Sequence, residues 1–128
     1  MQLLLDTHAL LWWINDAKEL SAKARKAIAN GDNDCFLSLA SCWEIAIKCS
    51  LGKLTLAQPV EQFIPDQLHR NGIRLLPIYF RHVAKVAALP FHHRDPFDRL
   101  LVAQAASEKM TLVTADAAMA RYGIKCLW

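Results

Sequence analysis

Three aspartates stand where the carboxyl ends of parallel strands would bring side chains together. Asp6 directly follows a short apolar run, Leu3–Leu5. Asp116 comes two residues after Thr114, where a second apolar run ends, and Asp98 opens a predicted helix just before that run. Ligands of open parallel sheets bind beyond the carboxyl ends of the strands. We therefore expect the three carboxylates to share one edge of a sheet.

Each aspartate also has a purely structural interpretation, because a carboxylate can accept hydrogen bonds from the free N–H groups of a first helical turn. Asp6 and Asp116 each precede a predicted helix. Asp95 is well placed as an N-cap and Pro96 suits a first helical position. Asp98 then lies in the first turn, where the helix dipole favours negative charge. Position alone leaves capping and ligand binding both open.

Glu44 is a fourth acidic candidate, inside the predicted helix Ala40–Leu51. The apolar stripe of this helix that we expect to enter the core consists of Trp43, Ile47 and Leu51. An ion pair with Lys48, four residues on, would explain Glu44 on a solvated face and would contribute only about 0.3–0.5 kcal/mol. At the edge of a buried stripe, so weak an ion pair does not explain the position of the Glu44 carboxylate.

Converging carboxylates have a definite chemical consequence. They repel each other by about 1–4 kcal/mol per close pair, depending on the local dielectric constant, and a bound cation or protonation offsets this repulsion. Oxygen ligands, with no cysteine or histidine at ligand spacing, favour the hard cations Mg²⁺ or Mn²⁺. Such an ion can activate a bound water while it stabilises charge on a phosphoryl group.

The elements that must position these acids alternate along the chain. The predicted strands are Gln2–Leu5, Cys35–Leu39, Ile73–Pro77, Thr111–Thr114 and Ile124–Leu127. The predicted helices are Thr7–Ile14, Ala22–Ala29, Ala40–Leu51, Pro59–Arg70, Tyr79–Leu89, Pro96–Lys109 and Ala117–Tyr122. We expect Pro65 to kink or split the helix that contains it. The alternation predicts an α/β fold with a mostly parallel sheet and helices on both faces.

Length and composition indicate one domain, residues 1–128, with 54% hydrophobic residues to fill its core. The longest apolar run, Ala9–Ile14, is too short to span a membrane. No leader pattern is visible, so we expect a cytoplasmic protein. The four cysteines include no CxxC pair, and we interpret them as buried reduced thiols.

The net charge of +3 is too small to indicate a nucleic-acid-binding protein by itself. Basic residues outnumber acids between Lys53 and Arg99, and a basic rim there could steer a phosphate backbone. On charge alone, a solvated surface is the simpler explanation.

Four segments, taken in order, resemble the successive motifs of PIN-domain nucleases, and most closely the VapC-like toxins of toxin–antitoxin pairs. The segments are Leu4–Trp12, Trp43–Leu54, Asp95–Ala105 and Thr111–Asp116. The resemblance covers nearly the whole chain. Any one motif would be weak evidence, whereas the four together are specific.

The resemblance implies a PIN-like three-layer sandwich with a five-stranded sheet, and RNA cleavage that depends on Mg²⁺ or Mn²⁺. The acidic quartet it implies is Asp6, Glu44, Asp98 and Asp116. Its secondary candidates are Asp95, Thr114 and Thr7. It also implies a homodimer and a small antitoxin whose C-terminal segment blocks the site. A helix wall containing Trp12 and Trp13 could line that groove, or both residues could belong to the core.

Our hypothesis is therefore metal-assisted hydrolysis of RNA. The metal would be held by Asp6, Asp98 and Asp116, while Glu44 would bind it through water or orient the attacking water. The residues expected to hold the RNA backbone are Lys48, Arg94 and Arg99.

Two alternative kinds of function remain. A phospho-receiver or an aspartate-nucleophile phosphatase is weakened because the third strand ends without an acid and His8 stands two residues after Asp6. A catalytically silent RNA- or protein-binding module of the same fold is the main alternative.

Overall fold

The computed structural model describes residues 1–128 and contains a single five-stranded sheet. Its strands are β1 Gln2–Leu5, β2 Asp34–Ser38, β3 Arg74–Leu76, β4 Thr111–Val113 and β5 Cys126–Leu127. They lie in the order β3-β2-β1-β4-β5, and all four pairings are parallel. The sheet predicted as mostly parallel is thus entirely parallel.

Six α-helices and one short 3-10 helix connect the strands. They are α1 Thr7–Ile14, α2 Ala22–Ala29, α3 Leu39–Ser50, α4 Val60–Asn71, α5 Phe80–Val86, α6 Pro96–Glu108 and the 3-10 helix Ala117–Tyr122. The predicted order of elements is confirmed. The largest differences are at the end of α5, which stops three residues before Leu89, and at the start of β5, which begins two residues after Ile124.

Two cores lie on opposite faces of the sheet, which makes three layers. Leu3 and Leu5 of β1 point into the larger core with residues of α1 to α4, whereas Leu4 points into the smaller core with α6 and the 3-10 helix. All three leucines are fully buried because β1 is the central strand and is covered on both faces. The three-layer α/β prediction is confirmed.

The prediction of which face of α3 enters the core is wrong. Trp43 is 60% exposed and Leu51 is 62% exposed, and the buried residues of the helix are Ala40, Ser41 and Ile45. Trp43 instead packs edge-on against Phe97 of α6, with ring centroids 5.1 Å apart.

Three further sequence predictions can be compared with the structure. Pro65 lies inside an unbroken α4, so the helix is not split there. All four cysteines are free thiols, but only Cys35 is buried. No helix combines the length and the apolarity needed to cross a membrane.

Candidate active site

A cleft of about 400 Å³ opens at the carboxyl ends of β1 and β4. The acids that line it are Asp6, Glu44, Asp95, Asp98 and Asp116. Its other lining residues are Thr7, His8, Trp12, Lys48, Thr114, Ala115 and Met119. The structure therefore brings the predicted quartet, and all three secondary candidates, into one cavity. Each acid of the quartet comes from a different segment of the chain.

Asp6 both caps α1 and faces the cleft. Its Oδ1 accepts a hydrogen bond of 2.7 Å from the backbone N–H of Ala9. Burial raises the pKa of Asp6, and the negative charge of Glu44 adds to this effect. Hydrogen bonds from Thr114 and from the Ala9 N–H act in the opposite direction. The structural and functional interpretations of Asp6 are thus compatible, because the capping bond fixes the carboxylate at the mouth of the cleft.

Asp98 carries the strongest electrostatic signal in the site. Burial, followed by the negative charge of Asp95, raises its pKa to about 6. Glu44 and Asp6 contribute smaller effects of the same sign, whereas His93 lowers the pKa. The first turn of α6 fixes the residue, because Asp95 Oδ1 accepts a 2.8 Å hydrogen bond from the Phe97 N–H. Burial and the neighbouring carboxylates thus both disfavour the charged form of Asp98, and a bound cation would favour it.

The two carboxylate oxygens of Asp116 have different hydrogen-bond partners. Its Oδ1 accepts a 3.0 Å hydrogen bond from the N–H of Ala118 and so caps the 3-10 helix. Its Oδ2 lies 2.7 Å from Nε2 of His93, and this hydrogen bond lowers the pKa of Asp116. The Asp116 N–H donates to the Thr114 hydroxyl at 3.1 Å. Thr114 therefore supports the site by shaping the turn after β4.

Glu44 is held at both oxygens. Oε1 accepts a 2.7 Å hydrogen bond from the Thr7 hydroxyl, and Oε2 lies 2.9 Å from Nζ of Lys48. The Glu44 side chain is only 13% exposed. The ion pair considered from the sequence does form, but it forms inside the cleft rather than on a solvated helix face.

The sequence reasoning missed His93. Single donor atoms of His93, Asp98 and Asp116 all lie within 4.8 Å of one another, which is close enough for one metal ion to be held between them. The prediction that no histidine stands at ligand spacing is therefore wrong. His93 lies only two residues before Asp95, so its proximity to a known site segment was the available signal.

The prediction that Arg99 holds the RNA backbone is contradicted by its burial. Its side chain points away from solvent, and its guanidinium donates to the carbonyl oxygens of Val86, Leu89 and Pro90. It also lies over the ring of Phe91, at 4.3 Å from the centroid. Arg99 thus ties α5 and the segment after it to α6, and its burial keeps the guanidinium away from a phosphate at the surface.

Lys48 and Arg94 are placed differently. Lys48 lines the cleft. Arg94 is exposed and lines a neighbouring shallow groove of about 480 Å³ with Lys48 and Lys53. Of the two tryptophans, Trp12 lines the cleft, whereas Trp13 donates to Asn71 at 3.0 Å. Only Trp12 can therefore form the groove wall considered from the sequence.

The donor set fits a divalent cation. Carboxylates from several elements converge, and burial together with neighbouring negative charges raises the pKa values of Asp6 and Asp98. Carboxylate oxygens with room for water are the environment that Mg²⁺ and Mn²⁺ accept. The residues present can therefore hold such an ion.

Comparison with curated proteins gives two relatives from Mycobacterium tuberculosis. Ribonuclease VapC22 is 33% identical over 114 residues, which cover 88% of this chain and 85% of that protein. Ribonuclease VapC16 is 37% identical over 62 residues, covering 48% of this chain and 44% of that protein. The second match thus spans less than half of the relative.

Solved structures share the fold. VapBC2 from Rickettsia felis, bound to a DNA fragment from its promoter, matches with a TM-score of 0.71 at 15% identity and covers 98% of this chain and 97% of that chain. A toxin–antitoxin complex from Klebsiella pneumoniae matches with a TM-score of 0.58 at 19% identity, covering 88% and 85%. At these identities the similarity concerns the fold alone. The family model of the PIN domain matches residues 3–125. With the acidic cleft at the expected sheet edge, this match shows that the chain belongs to the PIN domain family.

Proposed function

We propose that this chain is a metal-dependent endoribonuclease and the toxin component of a toxin–antitoxin pair. The observation that carries the proposal is the meeting of four carboxylates, from four segments, in one cleft where the pKa of Asp98 is raised to about 6. The name ribonuclease carried by both curated relatives supports RNA as the substrate. Membership of the PIN family supports hydrolysis of a phosphodiester bond.

The residues divide into roles by position. Asp6, Asp98 and Asp116 would hold Mg²⁺ or Mn²⁺, which supplies a Lewis acid for the phosphoryl oxygens and lowers the pKa of a bound water. Glu44 would accept a hydrogen bond from the attacking water or bind the ion through it. Glu44 already has fixed orientation, because Thr7 and Lys48 hold its two oxygens.

Backbone recognition falls to basic side chains in and beside the cleft. Lys48 and Arg94 line adjoining cavities, and Lys53 lies in the same groove as Arg94. Contacts from these side chains to phosphate oxygens would position RNA without reading its sequence. Arg99 has no part in this contact, since its side chain is buried and its guanidinium donates to carbonyl oxygens of the protein.

Protein partners form the second part of the proposal. Large apolar side chains are exposed along α3 and α5, including Trp43 at 60%, Phe80 at 83% and Val83 at 51%. Aromatic side chains such as these are enriched in protein interfaces, which is compatible with a homodimer and a small antitoxin. The Klebsiella pneumoniae structure is itself a toxin–antitoxin complex. A cytoplasmic location stays a prediction from the sequence.

The alternative, a silent binding module of the same fold, is not favoured. Burial beside other carboxylates disfavours the charged form of Asp98, as its raised pKa indicates. A binding module without catalysis would not need to keep so unfavourable an arrangement. The intact acids therefore support an enzyme.

The test is RNA cleavage by the purified chain in Mg²⁺ or Mn²⁺. We expect cleavage to stop in EDTA and to fall at least about 100-fold in Asp98→Asn, because a metal ligand is lost. Asp32→Asn is the matched control. Asp32 is an exposed acid in the turn before β2, at the amino ends of the strands and so on the side of the sheet away from the cleft. Cleavage that survives EDTA or persists in Asp98→Asn would refute the proposal.

A further inference from the structure

His93 lies beside the cleft, in contact with Asp116, and the acidic quartet does not explain its position. Its Nε2 lies 2.7 Å from Oδ2 of Asp116, and its donor atom lies within 4.8 Å of one on Asp98. The side chain is only 12% exposed. A histidine serving only as a surface hydrogen-bond partner would not need to be enclosed in this way.

The ring of His93 is held from behind by Tyr122. Nδ1 lies 3.0 Å from the Tyr122 hydroxyl, and the two rings stack at 24° with centroids 5.5 Å apart. The same hydroxyl accepts a 3.2 Å hydrogen bond from the N–H of His92, whose ring packs edge-on against Tyr122. Tyr122 is itself fixed at the end of the 3-10 helix that Asp116 caps. The 3-10 helix thus carries both Asp116, at its N-cap, and Tyr122, which supports the imidazole of His93.

This arrangement is the one that metal-binding histidines use. A ligating imidazole donates its second N–H to a fixed acceptor, which sets the tautomer and aims the other nitrogen at the ion. The Tyr122 hydroxyl stands at the second nitrogen of His93 and can take that role. Nε2 is then the nitrogen that faces Asp116 and Asp98.

The spacing of the donor atoms fits the same role. Adjacent ligands of an octahedral ion with bonds of about 2.1 Å lie roughly 3.0 Å apart. The 2.7 Å between Nε2 of His93 and Oδ2 of Asp116 is close to such an octahedral edge. Only a small outward movement would therefore let both atoms bind one ion.

We propose that His93 is a nitrogen ligand of the metal centre and that Tyr122 positions it. This inference rests on the proposed metal-dependent function and deepens it. An imidazole ligand favours first-row transition ions over Mg²⁺, which prefers oxygen and gives up water reluctantly. The centre is therefore selective for an ion such as Mn²⁺ over Mg²⁺, which a site made only of carboxylates would not be to the same degree.

The test is pulsed electron paramagnetic resonance of Mn²⁺ bound to the EDTA-stripped full chain, without RNA. We expect modulation from one directly bound ¹⁴N nucleus, replaced by the ¹⁵N pattern when histidine is isotopically labelled. His93→Gln should abolish the nitrogen signal and lower the ratio of Mn²⁺ to Mg²⁺ affinity by about 10-fold or more. Tyr122→Phe should keep the nitrogen signal but weaken Mn²⁺ binding, because the ring loses its support.

His8→Gln is the matched control, since His8 lines the cleft itself but is exposed and lies after Asp6 rather than beside Asp116. It should leave the nitrogen signal unchanged. Bound Mn²⁺ without nitrogen coupling in the unsubstituted chain would show that His93 only orients Asp116, which overturns this inference and leaves the carboxylate centre standing. Coupling that persists in His93→Gln would overturn it equally. Failure of the chain to bind Mn²⁺ at all would instead contradict the proposed function as well.

Discussion

The Thr7 hydroxyl donates a 2.7 Å hydrogen bond to Oε1 of Glu44 and so joins α1 to α3 across the mouth of the cleft. Thr7 directly follows Asp6. Two adjacent residues therefore supply one acid of the site, Asp6, and the hydrogen bond that orients another, Glu44. The second oxygen of Glu44 pairs with Lys48 at 2.9 Å. Glu44 is thereby pre-oriented before any ligand arrives, which is how a group that positions water should be built.

Replacing Thr7 with Val tests the value of this orientation. Val has a similar shape, so the buried site should stay filled and the fold should be retained. Glu44 would keep only Lys48 as a partner. Loss of such a supporting hydrogen bond typically lowers metal affinity or activity about 10–100-fold. We expect that range in the rate of RNA cleavage at saturating RNA, with Thr55→Val in the exposed loop after α3 as the control.

An unchanged cleavage rate in Thr7→Val would mean that Lys48 alone orients Glu44. A loss of rate accompanied by unfolding would be visible as a fall in the free energy of unfolding, which should be measured by urea denaturation on the same samples.

Arg94 and Arg99 should respond oppositely to substitution, although they are five residues apart. Arg99→Met removes a buried guanidinium that donates to three carbonyl oxygens, and we expect the free energy of unfolding to fall by about 2–4 kcal/mol. Arg94→Gln changes an exposed side chain and should leave stability within about 0.5 kcal/mol. It should instead weaken RNA binding and reduce its dependence on salt.

Urea denaturation and salt-dependent RNA binding together separate the two arginines. If Arg99→Met retained full stability and lost only RNA affinity, the burial of its guanidinium would not describe the protein in solution.

Asp98 should make the metal-free protein less stable as pH rises. The folded-state pKa is raised from 3.8 to about 6, so the folded protein holds this proton more tightly than the unfolded chain does. Stability is therefore lost as pH rises from about 4 to 6, and the loss is complete above the folded-state pKa. Because the side chain is partly exposed, we expect the effect to be about 1–3 kcal/mol.

The Asp98→Asn substitution removes this charge. In EDTA it should raise the free energy of unfolding relative to the unsubstituted chain at pH 8, and that advantage should shrink at pH 4.5. Asp32→Asn, which changes an exposed acid far from the cleft, is the control. An Asp98→Asn advantage of equal size at both pH values would indicate that packing, and not charge repulsion, is responsible.

Most of the fold could be predicted because its signals are local. Three such signals are the apolar residues Leu3–Leu5 of β1, the cap Asp95 before Pro96, and the glycine at position 72 that ends α4 with a positive φ of 62°. The acidic edge could also be predicted, since the carboxyl ends of parallel strands meet at one side of a sheet.

The errors concern relationships between distant segments. The pattern of α3 contains two overlapping apolar stripes, and only the packing of α3 on the sheet decides that Ile45 is buried while Trp43 is exposed. Arg99 looks like a surface cation until the segment after α5 folds over it. His93 becomes part of the site only because Tyr122, 29 residues away, holds its ring. The contacts of Arg99 and of Tyr122 join segments whose spacing in the sequence does not reveal them, although the position of His93 close to Asp95 was a local signal.

The most direct measurement is calorimetric titration of Mn²⁺ into the EDTA-stripped chain at pH 7.5. We predict saturable binding to the unsubstituted chain, binding at least about 10-fold weaker for Asp98→Asn, and unchanged binding for Asp32→Asn. Absence of saturable binding in the unsubstituted chain, or equal affinity in Asp98→Asn, would contradict the assignment of the acidic cleft as a metal centre.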